Sequence, residues 1–119
     1  MKFLGVKATT ADRIATYSEL TGGSPGVLTV TTLTSNTTLS TSPNQILLAD
    51  TTSGIFTITL PTAVGNSGVA YTIKKVNAGN TLTVATTSSQ TIDGTTTITM
   101  TVQYSSVDIV SDGSNWFIL

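Results

Sequence analysis

The stretch Ile55-Phe56-Thr57-Ile58-Thr59-Leu60 alternates without a break, and Pro61 ends it. Ile55, Thr57 and Thr59 fall on one side of an extended chain, and Phe56, Ile58 and Leu60 on the other. A period of two is the signature of a strand with one buried face. Downstream, Gly65-Asn66-Ser67-Gly68 makes a loop, and Ala70-Tyr71-Thr72-Ile73-Lys74-Lys75-Val76 sets Tyr71, Ile73 and Lys75 against Thr72, Lys74 and Val76. Asn77-Ala78-Gly79-Asn80 reads as a tight turn into Thr81-Leu82-Thr83-Val84-Ala85, where Leu82 and Val84 share a face.

The same pattern continues to the last residue. Gln90-Thr91-Ile92-Asp93-Gly94 is a short strand closing in an Asp-Gly turn. Thr97-Ile98-Thr99-Met100-Thr101-Val102 would bury Ile98, Met100 and Val102, and Ser106-Val107-Asp108-Ile109-Val110 pairs Val107 with Ile109. Asp112-Gly113-Ser114-Asn115 then turns into Trp116-Phe117-Ile118-Leu119. Upstream, Val27-Leu28-Thr29-Val30-Thr31 with Leu33 and Gln45-Ile46-Leu47-Leu48-Ala49-Asp50 are two further strands, the second following Ser42-Pro43-Asn44. About eight short strands with turn signals between them predict an all-β fold, an antiparallel β-sandwich or barrel. No helix-length segment separates the strands, which argues against a parallel α/β sheet.

The organisation changes at Thr21-Gly22-Gly23-Ser24-Pro25-Gly26, a linker that neither helix nor central strand can cross. The chain therefore divides into an N-terminal arm and Gly/Pro linker over 1–26 and a β-domain over 27–119. Within the arm, Thr10-Ala11-Asp12-Arg13-Ile14-Ala15-Thr16-Tyr17-Ser18-Glu19-Leu20 has a capping residue and an early acid, the marks of a short helix. So short a helix is marginal alone, and an extended arm is the other reading.

Composition narrows the function classes. Of 119 residues only 9% are charged, against about 25% in ordinary globular chains. Threonine, with serine, asparagine and glycine, replaces the missing charge. Such an exterior suits a chain whose surface meets other protein. A net charge of −1 supplies no basic field for phosphate backbones, so no nucleic-acid partner is expected. No signal peptide or membrane-spanning run is legible, and a soluble protein made in a cytoplasm is expected.

Cysteine and histidine are both absent, which removes disulfides, thiolate metal sites and nucleophilic triads of the Ser-His or Cys-His kind. The acids of the β-region are Asp50, Asp93, Asp108 and Asp112. Three of them sit beside turn residues, where Asp serves local backbone hydrogen bonds. Asp108 lies within a strand and should face solvent or meet Lys74 or Lys75. No spacing matches a calcium loop, and Gly22-Gly23-Ser24-Pro25-Gly26 lacks the Lys-Ser/Thr of a phosphate loop. No enzymatic activity, cofactor or metal is expected. The strand Trp116-Phe117-Ile118-Leu119 is too apolar to stand free in water, so it should be internal or covered at an interface. Tyr104, Trp116, Phe117 and Leu119 are the residues expected to mediate self-association.

From about residue 42 to the end, the order of these elements resembles a recurrent β-domain of tailed-bacteriophage structural proteins. Ile46-Leu47-Leu48-Ala49-Asp50-Thr51-Thr52-Ser53-Gly54 is followed by the alternating strand ending in Leu60-Pro61, the Gly65-Asn66-Ser67-Gly68 loop and Tyr71-Thr72-Ile73-Lys74-Lys75. Asn80-Thr81-Leu82-Thr83-Val84, Gln90-Thr91-Ile92-Asp93-Gly94 and Ser111-Asp112-Gly113-Ser114-Asn115-Trp116 complete it. The family occurs in tail fibres, head fibres and capsid decoration proteins, often as homotrimers, and carries no catalytic set. The resemblance implies a virion protein assembled in the host cytoplasm. A short arm with no shaft repeats looks most like a capsid decoration (cement) protein or small head fibre. The alternative is a receptor- or glycan-binding tail-fibre tip using loops such as Gly65-Asn66-Ser67-Gly68, the one reading in which a host glycan is a partner. In the leading reading a homotrimer sits on the shell, and the arm docks on the major capsid protein or another virion protein. The docking residues would be Lys2, Phe3, Leu4, Lys7, Arg13, Ile14, Tyr17 and Leu20, the three cations meeting an acidic groove. No membrane is involved in either reading.

Overall fold

A computed structural model describes residues 28–41 and 45–119. The described chain is all-β, with nine strands: β1 Thr29–Leu33, β2 Thr37–Thr38, β3 Gln45–Ala49, β4 Phe56–Thr59, β5 Ala70–Lys75, β6 Leu82–Ala85, β7 Thr97–Met100, β8 Ser106–Ser111 and β9 Trp116–Ile118. They form a five-stranded sheet in the order β9-β8-β5-β3-β1 and a four-stranded sheet in the order β2-β4-β6-β7. The arm and linker expected over 1–26 lie outside the described residues.

The pairing corrects the antiparallel expectation. β1, β3 and β5 run parallel in one sheet, and β2, β4 and β6 run parallel in the other. Only the last strands reverse: β7 on β6, β8 on β5 and β9 on β8. Parallel neighbours need a long crossover, which a helix usually supplies. Here the chain visits the opposite sheet between successive strands, so a strand does the work of the crossover helix. This is the winding of a β-solenoid, finished by antiparallel strands. Turn chemistry drives each passage. After β3, Asp50 accepts hydrogen bonds from the N–H and hydroxyl of Thr52, and Gly54 takes a positive φ. After β4, Leu60 extends the ladder to the Ala85 carbonyl before Pro61 breaks it.

The inward residues of both sheets form one core. Leu47, Ala49, Tyr71, Ile73, Ile109 and Trp116 come from the larger sheet, and Phe56, Ile58, Leu82, Val84 and Met100 from the smaller. Each fully buried aliphatic side chain here is worth about 2 kcal/mol. The faces read from Phe56, Ile58 and Leu60 and from Leu82 and Val84 match this core. Val102 does not: β7 ends at Met100, and Val102 is exposed in the following turn, where its carbonyl accepts from the N–H and hydroxyl of Ser105. Asp93-Gly94 forms the expected two-residue turn, with φ of 49° and 90° and Ile92 bridged to Thr95.

The last strand is covered by its own chain. Trp116 and Ile118 direct their backbone away from β8. The Trp116 N–H donates to the Thr91 carbonyl at 2.8 Å, and the Asp93 N–H donates to the Trp116 carbonyl at 3.1 Å. The Asp93 carboxylate accepts the Ile118 N–H. The edge that looked too apolar to stand free is thereby closed within the subunit. Among the described residues, β1, β2 and β7 have no strand paired on their outer edges.

Candidate interaction surfaces

Register fixes what the outside of the five-stranded sheet presents. Because Leu47 and Ala49 point inward, Ile46 and Leu48 point out. Val30, Ile46, Thr72 and Asp108 lie side by side across four strands, with Thr32, Leu48, Lys74 and Ser106 in the next row. Ala70, Val110 and Phe117 make a third row. Val30, Ile46, Leu48, Ala70, Val110 and Phe117 make the apolar part of this face, and its two charges, Asp108 and Lys74, are engaged locally. Asp108 accepts the Thr72 hydroxyl at 2.7 Å. Lys74 donates to the Tyr104 carbonyl at 3.1 Å, with its ammonium 5.8 Å from the centre of the Tyr104 ring. At one end the face deepens into a groove of about 300 Å³ walled by Leu28, Ile46, Ala70 and Leu119, with Asp108 at its rim.

The outside of the four-stranded sheet is hydroxylated instead. Thr57, Thr83 and Thr99 stand in one row, and Thr38, Thr59, Ala85 and Thr97 in the next, with no charged residue among them. β-branched side chains suit such a pleated surface and keep it neutral.

The four residues expected to mediate self-association separate here. Tyr104 is 61% exposed, Phe117 40% and Leu119 80%. Phe117 and Leu119 lie on or beside the apolar face, and Tyr104 reaches its far end through Lys74. Trp116 is wholly buried, its ring 5.6 Å from that of Tyr71. It packs the core and cannot offer its ring to a partner; its Nε1 has no hydrogen-bond partner among the described residues. The docking residues Lys2, Phe3, Leu4, Lys7, Arg13, Ile14, Tyr17 and Leu20 lie outside the described residues. Val30, Ile46 and Leu48, whose strands the sequence reading assigns no buried face, join the apolar face. Their signal was present: two apolar residues adjacent in β3 cannot both point inward.

The acidic residues serve the backbone. The Thr52 hydroxyl and N–H hold the Asp50 carboxyl below its usual range, and the N–H groups of Asn115 and Ser114 do the same for Asp112. Asp93 serves β9, and Asp108 faces solvent, the first of its two expected placements, where it accepts the Thr72 hydroxyl. Among the described residues no three His, Cys, Asp or Glu side chains gather as a metal site would require. In the Gly65–Gly68 loop the Asn66 amide donates one hydrogen bond to the Thr62 carbonyl at 2.8 Å.

One cation is buried. Lys75 follows Tyr71 and Ile73 on the inward face, and its ammonium donates to the carbonyls of Asn77 and Gly79, each at 2.6 Å. Thr51, also wholly buried, donates its hydroxyl into the same loop, and Asn80 returns a hydrogen bond to the Thr51 carbonyl at 2.8 Å. This knot is satisfied by backbone oxygens, the arrangement of a structural pin.

No protein-family model matches the chain, and no curated protein sequence matches it significantly.

Proposed function

We propose that the chain is a virion structural protein of tailed-phage type, a capsid decoration (cement) protein or small head fibre that assembles as a homotrimer. It is a component of the particle and not an enzyme. The apolar side chains Val30, Ile46, Leu48, Ala70, Val110 and Phe117 on the outer face of the five-stranded sheet are the observation that carries this reading. A contiguous apolar face on a small domain marks an interaction site. Phe117, Val110 and Leu48 on that face supply the subunit contacts, and Tyr104 with Lys74 closes its end. The uncharged threonine rows of the opposite sheet suit a crowded particle surface, where they neither attract nucleic acid nor repel a neighbouring copy. The residues over 1–26 reach the shell and add buried area between capsid subunits.

The mechanism is mass action. A protein that binds the assembled shell and not its dissociated parts stabilises the shell by RT ln(1 + [L]/Kd), about 2.7 kcal/mol at a hundredfold excess over Kd. Electron microscopy of particles incubated with the purified full-length protein tests the proposal. Density on the head lattice, with a raised shell melting temperature, is the expected result. Absence of binding to any particle component would overturn it. Binding confined to host cells would replace it with the receptor-binding reading.

A further inference from the structure

We infer that Asp93-Gly94 is a site of spontaneous isoaspartate formation, and that the fold withholds the same reaction from Asp112-Gly113. The inference stands apart from the virion reading. These are the two Asp-Gly pairs of the chain. Glycine has no side chain to shield the nitrogen that follows the carboxyl group. In the reaction the Gly94 nitrogen bonds to the Asp93 Cγ, and the N–H proton and the carboxyl OH leave as water. Water then reopens the five-membered imide. Addition at Cγ restores aspartate; addition at the main-chain carbonyl breaks the original peptide bond and leaves isoaspartate. The main chain then runs through Cβ and Cγ, one methylene longer, and no water is gained or lost overall.

What must break first differs between the two sites. The backbone hydrogen bonds of the Asp93-Gly94 turn run between Ile92 and Thr95, and the Gly94 N–H has no partner among the described residues. The Asp93 carboxylate holds one donor, the Ile118 N–H at 3.1 Å. Asp93 and Gly94 are both exposed, so water reaches them. At the other site the Gly113 N–H donates to the Ser111 hydroxyl, and the Asp112 carboxylate accepts from the N–H groups of Ser114 and Asn115, each at 2.9 Å. Those donors also keep the Asp112 carboxyl ionised, the form a nitrogen attacks least readily. Gly113 is half-buried, and a Cβ there would meet that of Ser67 at 3.4 Å. The product matters for the last strand. Isomerisation lengthens the two-residue turn and moves the free carboxylate from Cγ to the main-chain carbon. The Ile118 N–H loses its acceptor, and the edge of β9 opens.

The full-length protein is aged at neutral pH and physiological temperature, native and in urea, then cut with chymotrypsin, which separates the two sites at Tyr104. Isoaspartate keeps the mass of aspartate, and electron-transfer fragmentation of each peptide tells them apart. In the native protein isoaspartate should accumulate about tenfold or more faster at position 93 than at 112, because two more hydrogen bonds must break at the second site. In urea, where neither site is held, the two rates should converge. The isomerised native form, isolated by chromatography, should exchange its Ile118 amide faster than fresh protein. Isoaspartate appearing first at 112, or a native preference no larger than that in urea, would overturn the inference. So would its absence from position 93 of the native protein over the time in which the urea sample forms it. Unchanged exchange at Ile118 in the isomerised form would overturn the opening of β9.

Discussion

The Asp93 carboxylate accepts the main-chain N–H of Ile118 at 3.1 Å, across 25 residues of sequence. A turn residue thus caps the free edge of the last strand, which the sequence had marked only by its Asp-Gly pair. Asp93→Gly keeps the positive φ of the turn and removes the acceptor. It should cost about 1 kcal/mol in denaturant unfolding and speed hydrogen exchange at the Ile118 amide. Asp93→Asn, which tolerates the same φ and retains an acceptor oxygen, should leave exchange near the wild-type rate. Unchanged protection in Asp93→Gly would show that the edge is held by other contacts.

Lys75 anchors the loop after β5 through two carbonyl acceptors inside the core. Lys75→Met fills similar volume but strands both oxygens, so a loss of about 3 kcal/mol is expected in denaturant unfolding. A loss below about 1 kcal/mol would mean that the loop repacks freely and the ammonium is incidental.

Burial of Tyr71 pushes its hydroxyl up to about 12, and that hydroxyl donates to the Ser40 carbonyl. The folded protein therefore keeps a proton that the unfolded chain releases near pH 10. Stability from this group is whole below pH 10 and falls as pH rises from there to about 12. Tyr71→Phe should flatten that part of the pH profile, and in the wild type Tyr71 should ionise well above pH 10 by the ultraviolet absorbance that the variant lacks. Tyr71 ionising near pH 10 in the folded protein would contradict this.

Tyr104 adopts φ of 67°, a conformation that costs a bulky side chain about 1 kcal/mol. Its backbone is held there by donation to the Lys75 carbonyl and acceptance from Lys74. Tyr104→Gly relieves the strain and loses the cation–π contact, so net stability should change by less than about 1 kcal/mol. Self-association should weaken all the same, as measured by sedimentation. Weakened folding with undiminished association would reverse the assignment of this side chain.

How much of this was legible in sequence depended on what alternation encodes. Phe56, Ile58 and Leu60 revealed their shared face because a single strand already contains that information. Strand direction is not contained there: Thr57 alternates identically beside a parallel or an antiparallel neighbour. Direction came from the passages between sheets, whose turns carry no apolar pattern. β2 leaves no alternation to read because Thr37 and Thr38 bury little, and its place is marked by Asn36 accepting the Thr57 N–H. Val102 misled because the alternation outran the strand. The apolar run Trp116-Phe117-Ile118-Leu119 does not say which of its residues are covered within the subunit, and Trp116 packs into the core beside Tyr71. Lys75 kept step with Tyr71 and Ile73 in the sequence, and only the carbonyls of the loop that follows explain how a lysine can be buried there.

The central claim is that copies of this chain cover the outer face of the five-stranded sheet. Sedimentation equilibrium of the full-length protein, alongside Phe117→Asp and Leu48→Asp, tests it most directly. Both positions lie outside the core, so the variants should fold. A wild-type trimer that falls to monomer in both variants is the predicted result. A wild-type monomer at high concentration, or a trimer indifferent to both charges, would contradict it.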